Sequence, residues 1–447
     1  MTLRKHIKET VRLALPISVG QLGHVMLGVV DSLMVGRIGS ASLAAASLVN
    51  GIFFLIIVIG IGLSMAATPL IAIAKGSDEF DDCGKILNHS LVVNSIFSIV
   101  LMCGTFGFSF LIPYLNQPDD VVRLAVPYLQ VLTLSVFPFI LFQTHRQFLE
   151  GLSLPKPPMY VAIFANLLNA FLNWLFIFGN FGFPEWGLFG AGIATTITRS
   201  TMAIILFYYI LNSNKLKIYK PAFNIKPLDF PLINKIISIG LPSGLQYFLE
   251  VATFAFAAIM VGWLGKTQLA AHQIALNLAS ITYMIILGIS AAGTIRVGEA
   301  LGRKSLIQIR RAGFSALGLA SVLMFFFGIV FILLRNFFPT LYINEKEVID
   351  VASKLLIIAA LFQIFDGLQA TGIGILRGLT DTKIPLLISF ASYWLVGIPV
   401  SIILGFYLKL GTIGIWIGLL TGLALVGITL SFRFNNKSNR IFTSDQE

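Results

Sequence analysis

Charge is what this sequence has least of. Only 11% of its 447 residues are Asp, Glu, Lys or Arg, less than half of the roughly 25% found in soluble globular chains. Hydrophobic residues make up 57%, and the mean hydropathy is +0.89. A soluble fold is thereby excluded and a polytopic membrane protein implied. Cysteine is nearly absent. Cys83 and Cys103 are too few for a disulfide framework, and nothing suggests a zinc site. A Walker-type lysine loop and a kinase-like motif set are both missing, which argues against ATP as the driving force. No Ser/His/Asp or metalloprotease arrangement stands out, so neither an enzyme nor a cofactor is expected.

What is there in abundance is apolar sequence gathered into runs. Twelve can be traced, at about 13–36, 47–73, 88–113, 124–148, 158–180, 189–212, 233–264, 274–297, 312–335, 349–376, 384–407 and 412–434. A bilayer core requires roughly 20 apolar helical residues per span. The runs are long and continuous and lack two-residue alternation, so an all-α bundle is predicted over a β-barrel. The opening "MTLRKHIKETVRLALP" is basic, then apolar, and has no small-residue cleavage site. It reads as a cytoplasmic tail entering the first span, not as a signal peptide.

The charges that remain are placed asymmetrically. With the N-terminus inside, 23 of the 31 basic residues fall on the inner side. The exceptions are Arg37, Arg123, Lys266, Arg335, Lys346, Lys354 and Lys409 on the outer side, and Arg199 within the sixth run. This is the positive-inside pattern, and it predicts that both termini are cytoplasmic. Topology and lipid headgroups account for the net charge of +11, so no nucleic-acid partner is expected.

The chain is also written twice. "LPISVG" at Leu15 aligns with "LPSGLQ" at Leu241, and "MVGRIGSASLAAASLVN" at Met34 with "MVGWLGKTQLAAHQIALN" at Met260. The offset is 226 for Pro16/Pro242, Gly36/Gly262, Gly39/Gly265 and Ala44/Ala270. "LEGLSLPKPP" at Leu149 aligns with "LRGLTDTKIP" at Leu376, and "GLFGAGIATTIT" near Gly187 resembles "GTIGIWIGLLTG" near Gly411. Six spans per copy is an even number, so both copies enter the membrane in the same direction. A pseudo-twofold axis along the membrane normal follows. The predicted organisation is an N-terminal six-helix lobe (1–213), a cytoplasmic linker (214–231), a C-terminal six-helix lobe (232–434) and a cytoplasmic tail (435–447). A cleft between lobes that opens to each side in turn is the economical transport mechanism.

Three acids fall deep within runs: Asp31 in the first, Glu250 in the seventh ("QYFLEVATFAF") and Asp366 in the tenth. The other acids are placed in loops or at span ends. An acid at bilayer depth costs roughly 2.5–3.5 kcal/mol on insertion scales, so each is expected to have a role or a partner. Desolvation raises a carboxyl pKa, which suits a proton carrier, whereas a nearby cation lowers it, which suits an ion site. Glu250 and Asp366 belong to the same copy and are candidates for one cation site, with Na⁺ as the metal considered. Asn169 and Asn173, four apart in "FANLLNAFLNW", share a helix face. With Asp31 and a threonine (Thr195 or Thr196) they are candidates for a cavity in the first lobe. Interhelical hydrogen bonding explains the asparagines equally well. In the second lobe Gln246, Tyr247, Asn277, Tyr283, Gln363 and Gln369 are either cavity residues or ordinary packing. His24 and His272 read as core histidines in preference to proton carriers. Pro16 and Pro242 either open their spans or, if deeper, bend them.

Taken together, "LALPISVGQLGHVMLGVVDSLMVGRIG", "LNAFLNWLFIFG", "GLPSGLQYFLEVATF", "MVGWLGKTQLAAHQIALN" and "FQIFDGLQATGIGILRG" resemble the multidrug and toxic compound extrusion (MATE) family, NorM-type branch. The resemblance runs over about residues 8–434. It implies twelve helices in two lobes forming a V. The implied activity is secondary active antiport: amphipathic, often cationic compounds leave as Na⁺ or H⁺ enters. The setting implied is the bacterial inner membrane, with small-molecule drugs and the lipid bilayer as partners and a monomer as the expected state. By the same resemblance Asp31, Glu250 and Asp366 are the coupling acids, and Asn169, Asn173 and Thr195 belong to the first-lobe ion site. Pro16 is the proline that bends the first helix. Some sodium-coupled relatives carry a tyrosine four residues before the tenth-span acid; here that position is Phe362, which weakens the case for sodium there. The rival reading is a lipid-linked oligosaccharide flippase, whose cavity would need basic lining. Arg199 alone is a deep cation candidate, which favours the antiporter.

Overall fold

A computed structural model of the chain describes residues 3–221 and 228–443. Among them all regular structure is helical. The elements are α1 (Leu3–Gly36), α2 (Ser40–Ser64), α3 (Ala67–Gly76), α4 (Phe80–Ser109), α5 (Asp119–Leu134), α6 (Val136–Gly151), α7 (Lys156–Phe178) and α8 (Gly187–Asn212). They continue with α9 (Phe230–Gly262), α10 (Lys266–Gly302), α11 (Leu306–Leu333), α12 (Lys346–Gly378), α13 (Lys383–Phe390), α14 (Ile398–Ile402) and α15 (Gly411–Thr443). Eleven helices are long and apolar enough to cross a membrane, and twelve spans result when the bent pair α5–α6 is counted as one. The twelve apolar runs are thus twelve helical spans.

Two spans depart from a regular helix. The fourth is bent by 42° between α5 and α6. Ser135 sits at this break and donates its hydroxyl to the Leu132 carbonyl at 2.6 Å. The eleventh (α13 to Tyr407) contains wider π-turns at Ala391–Gly397 and Ile403–Tyr407. Such turns are inserted residues that re-aim side chains, often at functional places.

The expected linker, 214–231, lies partly outside the described residues, as does the end of the expected tail, 435–447. Its described ends dock on α4. Lys220 pairs with Asp81 at 2.8 Å, and the Asp229 amide donates to His89 Nε2 at 2.9 Å. Residues 435–443 are not a loose tail, because α15 continues through them to Thr443.

Packing divides the chain into two compact units, but not at the linker. The first unit is Val19–Gly244; the second comprises the residues up to Ser18 and those from Leu245 onward. Both divisions fall inside helices, α1 and α9, and they are 226 residues apart, the spacing of the repeat. Pro16 and Pro242 lie just before these points, deep inside their helices and not in the first turn. Each lacks an N–H, so the Arg12 and Ser238 carbonyls lose their normal helical donor. The helix interruption and the change of packing partner coincide in both copies.

Each start segment is locked by a glycine on its neighbour. In the second unit Ser18 Oγ donates to the Ile285 carbonyl at 2.8 Å. A Cβ on Gly288 would collide with that Oγ and lie 2.6 Å from the Ala14 carbonyl oxygen. In the first unit a Cβ on Gly62 would collide with Gly244 Cα, and one on Gly240 would lie 2.6 Å from the Leu63 carbonyl oxygen. Gly62 and Gly288 are repeat mates, as are Ala14 and Gly240, and Ser18 and Gly244. The same close crossing is therefore built twice. Small residues are what let helices approach this closely in a membrane, where no hydrophobic effect drives them together.

Substituting Gly62→Val or Gly288→Val is expected to destabilise the protein by about 1–3 kcal/mol through overpacking. Thermal unfolding of the purified variants should show it as a lowered midpoint. Gly104→Val, where a Cβ meets nothing within 4 Å, is the control that should leave the midpoint unchanged.

Candidate functional site

The first unit gathers Asp31 with all three of its expected companions. Asn169 and Asn173 stand one turn apart on α7, and Thr195 faces them from α8. Asn173 Nδ2 donates to Asp31 Oδ1 at 2.5 Å and to Asn169 Oδ1 at 3.2 Å, and Thr195 Oγ1 donates to Asp31 Oδ2 at 3.2 Å. Both carboxylate oxygens are thus held by neutral donors. Asn173 Oδ1 is buried without a partner, an oxygen left over for a cation or a proton donor. Thr196 does not join this group. Its hydroxyl donates to the Gly192 and Val131 carbonyls at 2.9 and 3.2 Å, which ties α8 to α5.

Arg199 lies one turn beyond Thr195. Its Nη1 donates to Ser135 Oγ at 2.7 Å, at the α5–α6 break. Its guanidinium lies 5.0 Å from the Phe53 ring centroid and 4.6 Å from that of Phe139. Aromatic faces stabilise a desolvated cation in this way. The guanidinium therefore has partners that need no acid, and Asp31 makes no salt bridge to it.

The second unit holds the other two acids. Glu250 on α9 accepts a hydrogen bond from Tyr283 on α10 at 3.1 Å. Asp366 on α12 is buried and, among the described residues, has no hydrogen-bond partner. No hydrogen bond joins the two carboxylates. Gln369, one turn after Asp366, accepts from the Tyr393 hydroxyl in the eleventh span, and its Nε2 is buried without a partner. Gln246 donates to Ser389 Oγ at 2.9 Å, and Gln363 pairs with Thr282 at 2.7 Å. These glutamines join α9, α10 and α12 to their neighbours. Tyr247 is half-buried three residues before Glu250. Asn277 is exposed and makes no side-chain bond to either acid among the described residues. Phe362 is buried and packs on Phe254 and Trp416, ring centroids 6.0 and 5.9 Å away, so this wall of the site offers no hydroxyl.

His272 is buried and His24 half-buried, each with one nitrogen unserved. His24 sits between the edges of Phe139 and Phe142, and its Nε2 has no partner. His272 accepts from Trp416 Nε1 at 3.1 Å, and its Nε2 also lacks a partner.

Burial is not confined to the three acids expected to be deep. Glu150, placed at a span end by the sequence reading, is buried on α6 and paired with Arg146 at 2.5 Å; both side chains are 4% exposed. Asp381 is buried too, held by Arg433 Nε at 2.8 Å and Lys437 Nζ at 3.2 Å. The i,i+4 spacing in "RQFLE" was the signal for the first pair. The contrast sorts the acids. Glu150 and Asp381 are charge-compensated and structural. Asp31, Glu250 and Asp366 form no salt bridge among the described residues. No three His, Cys, Asp or Glu side chains converge as a metal site among the described residues.

Replacing Glu150 alone by Ala should strand the Arg146 cation and cost about 3–5 kcal/mol, whereas the double variant Arg146→Met/Glu150→Gln should recover most of that. Thermal unfolding of the single and double variants measures this coupling.

The MatE family model matches residues 16–175 and again 242–403, the two copies of the repeat. The chain is 36% identical over 436 residues to the "Probable multidrug resistance protein NorM" of Rhodopseudomonas palustris, covering 97% of this chain and 92% of that one. It is 32% identical to the "Multidrug resistance protein NorM" of Photobacterium profundum, covering 96% and 95%. Among solved structures, a eukaryotic MATE transporter, AtDTX14, superposes with a TM-score of 0.89 at 23% identity, over 98% of both chains. The Vibrio cholerae MATE transporter VcmN in its bent form gives 0.89 at 19% identity, again over 98% of both.

Proposed function

The chain belongs to the MatE family, and on that premise we propose that it is a secondary active multidrug efflux antiporter. It exports amphipathic, often cationic compounds in exchange for Na⁺ or H⁺. Support comes first from the chemistry of Asp31, Glu250 and Asp366, three buried carboxylates without a cationic partner. A buried unpaired carboxylate is costly, and a mobile cation relieves that cost. Proton, sodium ion and organic cation can each do so, and they compete for the same charge.

The coupling ion acts only if it binds two conformations with different affinity. Asp31 is suited to this, because its donors come from α7 and α8 while it rides on α1. A proton on Asp31 Oδ2 would need an acceptor, and the Thr195 hydroxyl would then turn from donor to acceptor while Oδ1 keeps its bond from Asn173. Pro16, where α1 lacks a backbone hydrogen bond, is the place for the helix to yield. At Glu250 and Asp366 a sodium ion would find few protein oxygens besides Tyr283 and the carboxylates, since Phe362 supplies none. Water would complete its shell.

In this proposal the protein lies in the bacterial inner membrane, and the distribution of its basic residues supports cytoplasmic termini. It acts as a monomer in this proposal.

In cells expressing the protein, efflux of a fluorescent cationic dye should fall by about tenfold or more for Glu250→Gln, with similar losses for Asp31→Asn and Asp366→Asn. Wild-type efflux by Glu250→Gln removes that residue from coupling. In proteoliposomes, export should follow an imposed Na⁺ or H⁺ gradient; indifference to both would end the antiport reading.

A further inference from the structure

Two of the helices that carry the acids, α1 and α9, are each held by a side chain from another span, at the same backbone atom in both copies. In the first unit Asn166 on α7 donates its amide to the Gly23 carbonyl of α1 at 2.9 Å and to the Ala162 carbonyl of its own helix at 2.8 Å. In the second unit Trp394 donates its indole N–H to the Leu249 carbonyl of α9 at 3.4 Å. Gly23 and Leu249 are 226 residues apart and are therefore repeat mates. Each lies seven residues, about two turns, beyond its proline, Pro16 or Pro242.

The donors differ while the acceptor is kept. At the offset of 227 that aligns Pro158 with Pro385, Asn166 is matched by Tyr393, and Trp394 is the next residue. Trp394 lies in the π-turn Ala391–Gly397, and the residue that such a turn inserts accounts for the shift of one place. Neither carbonyl needs the extra donor. Each stands inside a helix, where the amide four residues on already serves it. Contact between α1 and α7 does not need it either, because a Cβ on Gly23 would already lie 3.4 Å from Ala162 Cβ.

What the two bonds share is the position they fix. α1 continues unbroken from Gly23 to Asp31, eight residues or about 12 Å further. Asn166 and Asn173 are seven residues apart on α7, about 10.5 Å. α1 is thus tied to one helix at two levels, by its backbone at Gly23 and by its carboxylate at Asp31. In α9 the held carbonyl belongs to the residue before Glu250, and the Trp394 ring also lies beside Phe256, centroids 6.3 Å apart. A helix that yields at its proline is stopped two turns later, before the acid.

We propose that Asn166 and Trp394 are positioning residues for ion coupling. Each clamps the backbone of an acid-bearing helix beyond its proline, and so sets Asp31 against Asn173 and Thr195, and Glu250 against Tyr283. The inference rests on the antiport reading above. With a clamp lost, the carboxylate spends less time within reach of its donors, and the coupling ion finds its site assembled less often. Apparent affinity for the ion falls by that fraction, whereas every group that touches ion or substrate is still present.

Proteoliposomes holding the purified full-length protein test this. Initial rates of ethidium transport are measured against the concentration of whichever ion, Na⁺ or H⁺, drives the wild type. Asn166→Leu and Trp394→Phe delete the N–H and keep the bulk of the side chain. Each should raise the half-saturating ion concentration by about 3- to 10-fold, the effect of one hydrogen bond, and leave the maximal rate within about twofold. Thr196→Val is the control. It deletes a bond between α8 and the Val131 carbonyl of α5, and should leave the half-saturating concentration unchanged. If either clamp variant lowers the maximal rate or the thermal midpoint without moving half-saturation, its residue is an ordinary packing contact and the proposal is overturned. An equal shift in Thr196→Val overturns it too. Should Asn166→Leu fail to fold, Trp394→Phe decides by itself. A wild type that moves ethidium without regard to either ion overturns the antiport reading and the clamps with it. A wild type that saturates with the ion, matched by both variants, overturns the clamps alone.

Discussion

A carboxylate surrounded by hydrocarbon and neutral donors is the interaction on which this structure turns. Water would solvate it, and a lysine or arginine would neutralise it. Asp31 has instead two asparagines and a threonine hydroxyl within reach, and Glu250 has a phenol. Such donors orient a carboxylate without satisfying its charge. No cation among the described residues forms a salt bridge with either carboxylate. The protein also shows the alternative: Glu150 is buried as deeply but paired with Arg146 on its own helix. One fold thus contains compensated acids that hold it together and uncompensated ones that are free to do work.

The scaffold that presents these acids depends on a second constraint, the close crossing at Gly62 and Gly288. Each glycine accepts the start of a helix that then passes into a different unit. The prolines sit where that passage happens. Sequence duplication explains why the arrangement appears twice, and the lack of symmetry among the acids explains why the two copies are not chemically equivalent. Asp31 is matched by Ala257, and Glu250 by His24.

The spans, the repeat and the Asp31 group were legible because each depends on local pattern. Apolar length sets the spans, and four-residue spacing puts Asn169 and Asn173 on one face. Choosing between Thr195 and Thr196 required the rotation of α8, which periodicity alone does not fix. The unit boundaries were not legible. Contiguous copies suggested a division at the linker, whereas packing moved it into α1 and α9, beyond the prolines. Asn277 is exposed and stands apart from the hydrogen bonds of the acids, a placement that polarity in a span does not reveal. The Arg146–Glu150 pair was overlooked because proximity to a run's end was equated with exposure.

The passage of α1 from one unit to the other sets a timetable for assembly. The residues up to Ser18 leave the ribosome before the rest of their unit, yet the groups that bind them, the Ile285 carbonyl and Arg296, lie in α10. Thr10 and His6 must wait through the synthesis of the whole first unit before their guanidinium partner exists. Completion of the second unit thus closes on a segment made before the first unit, and a polypeptide halted before α10 would leave that segment without its partners.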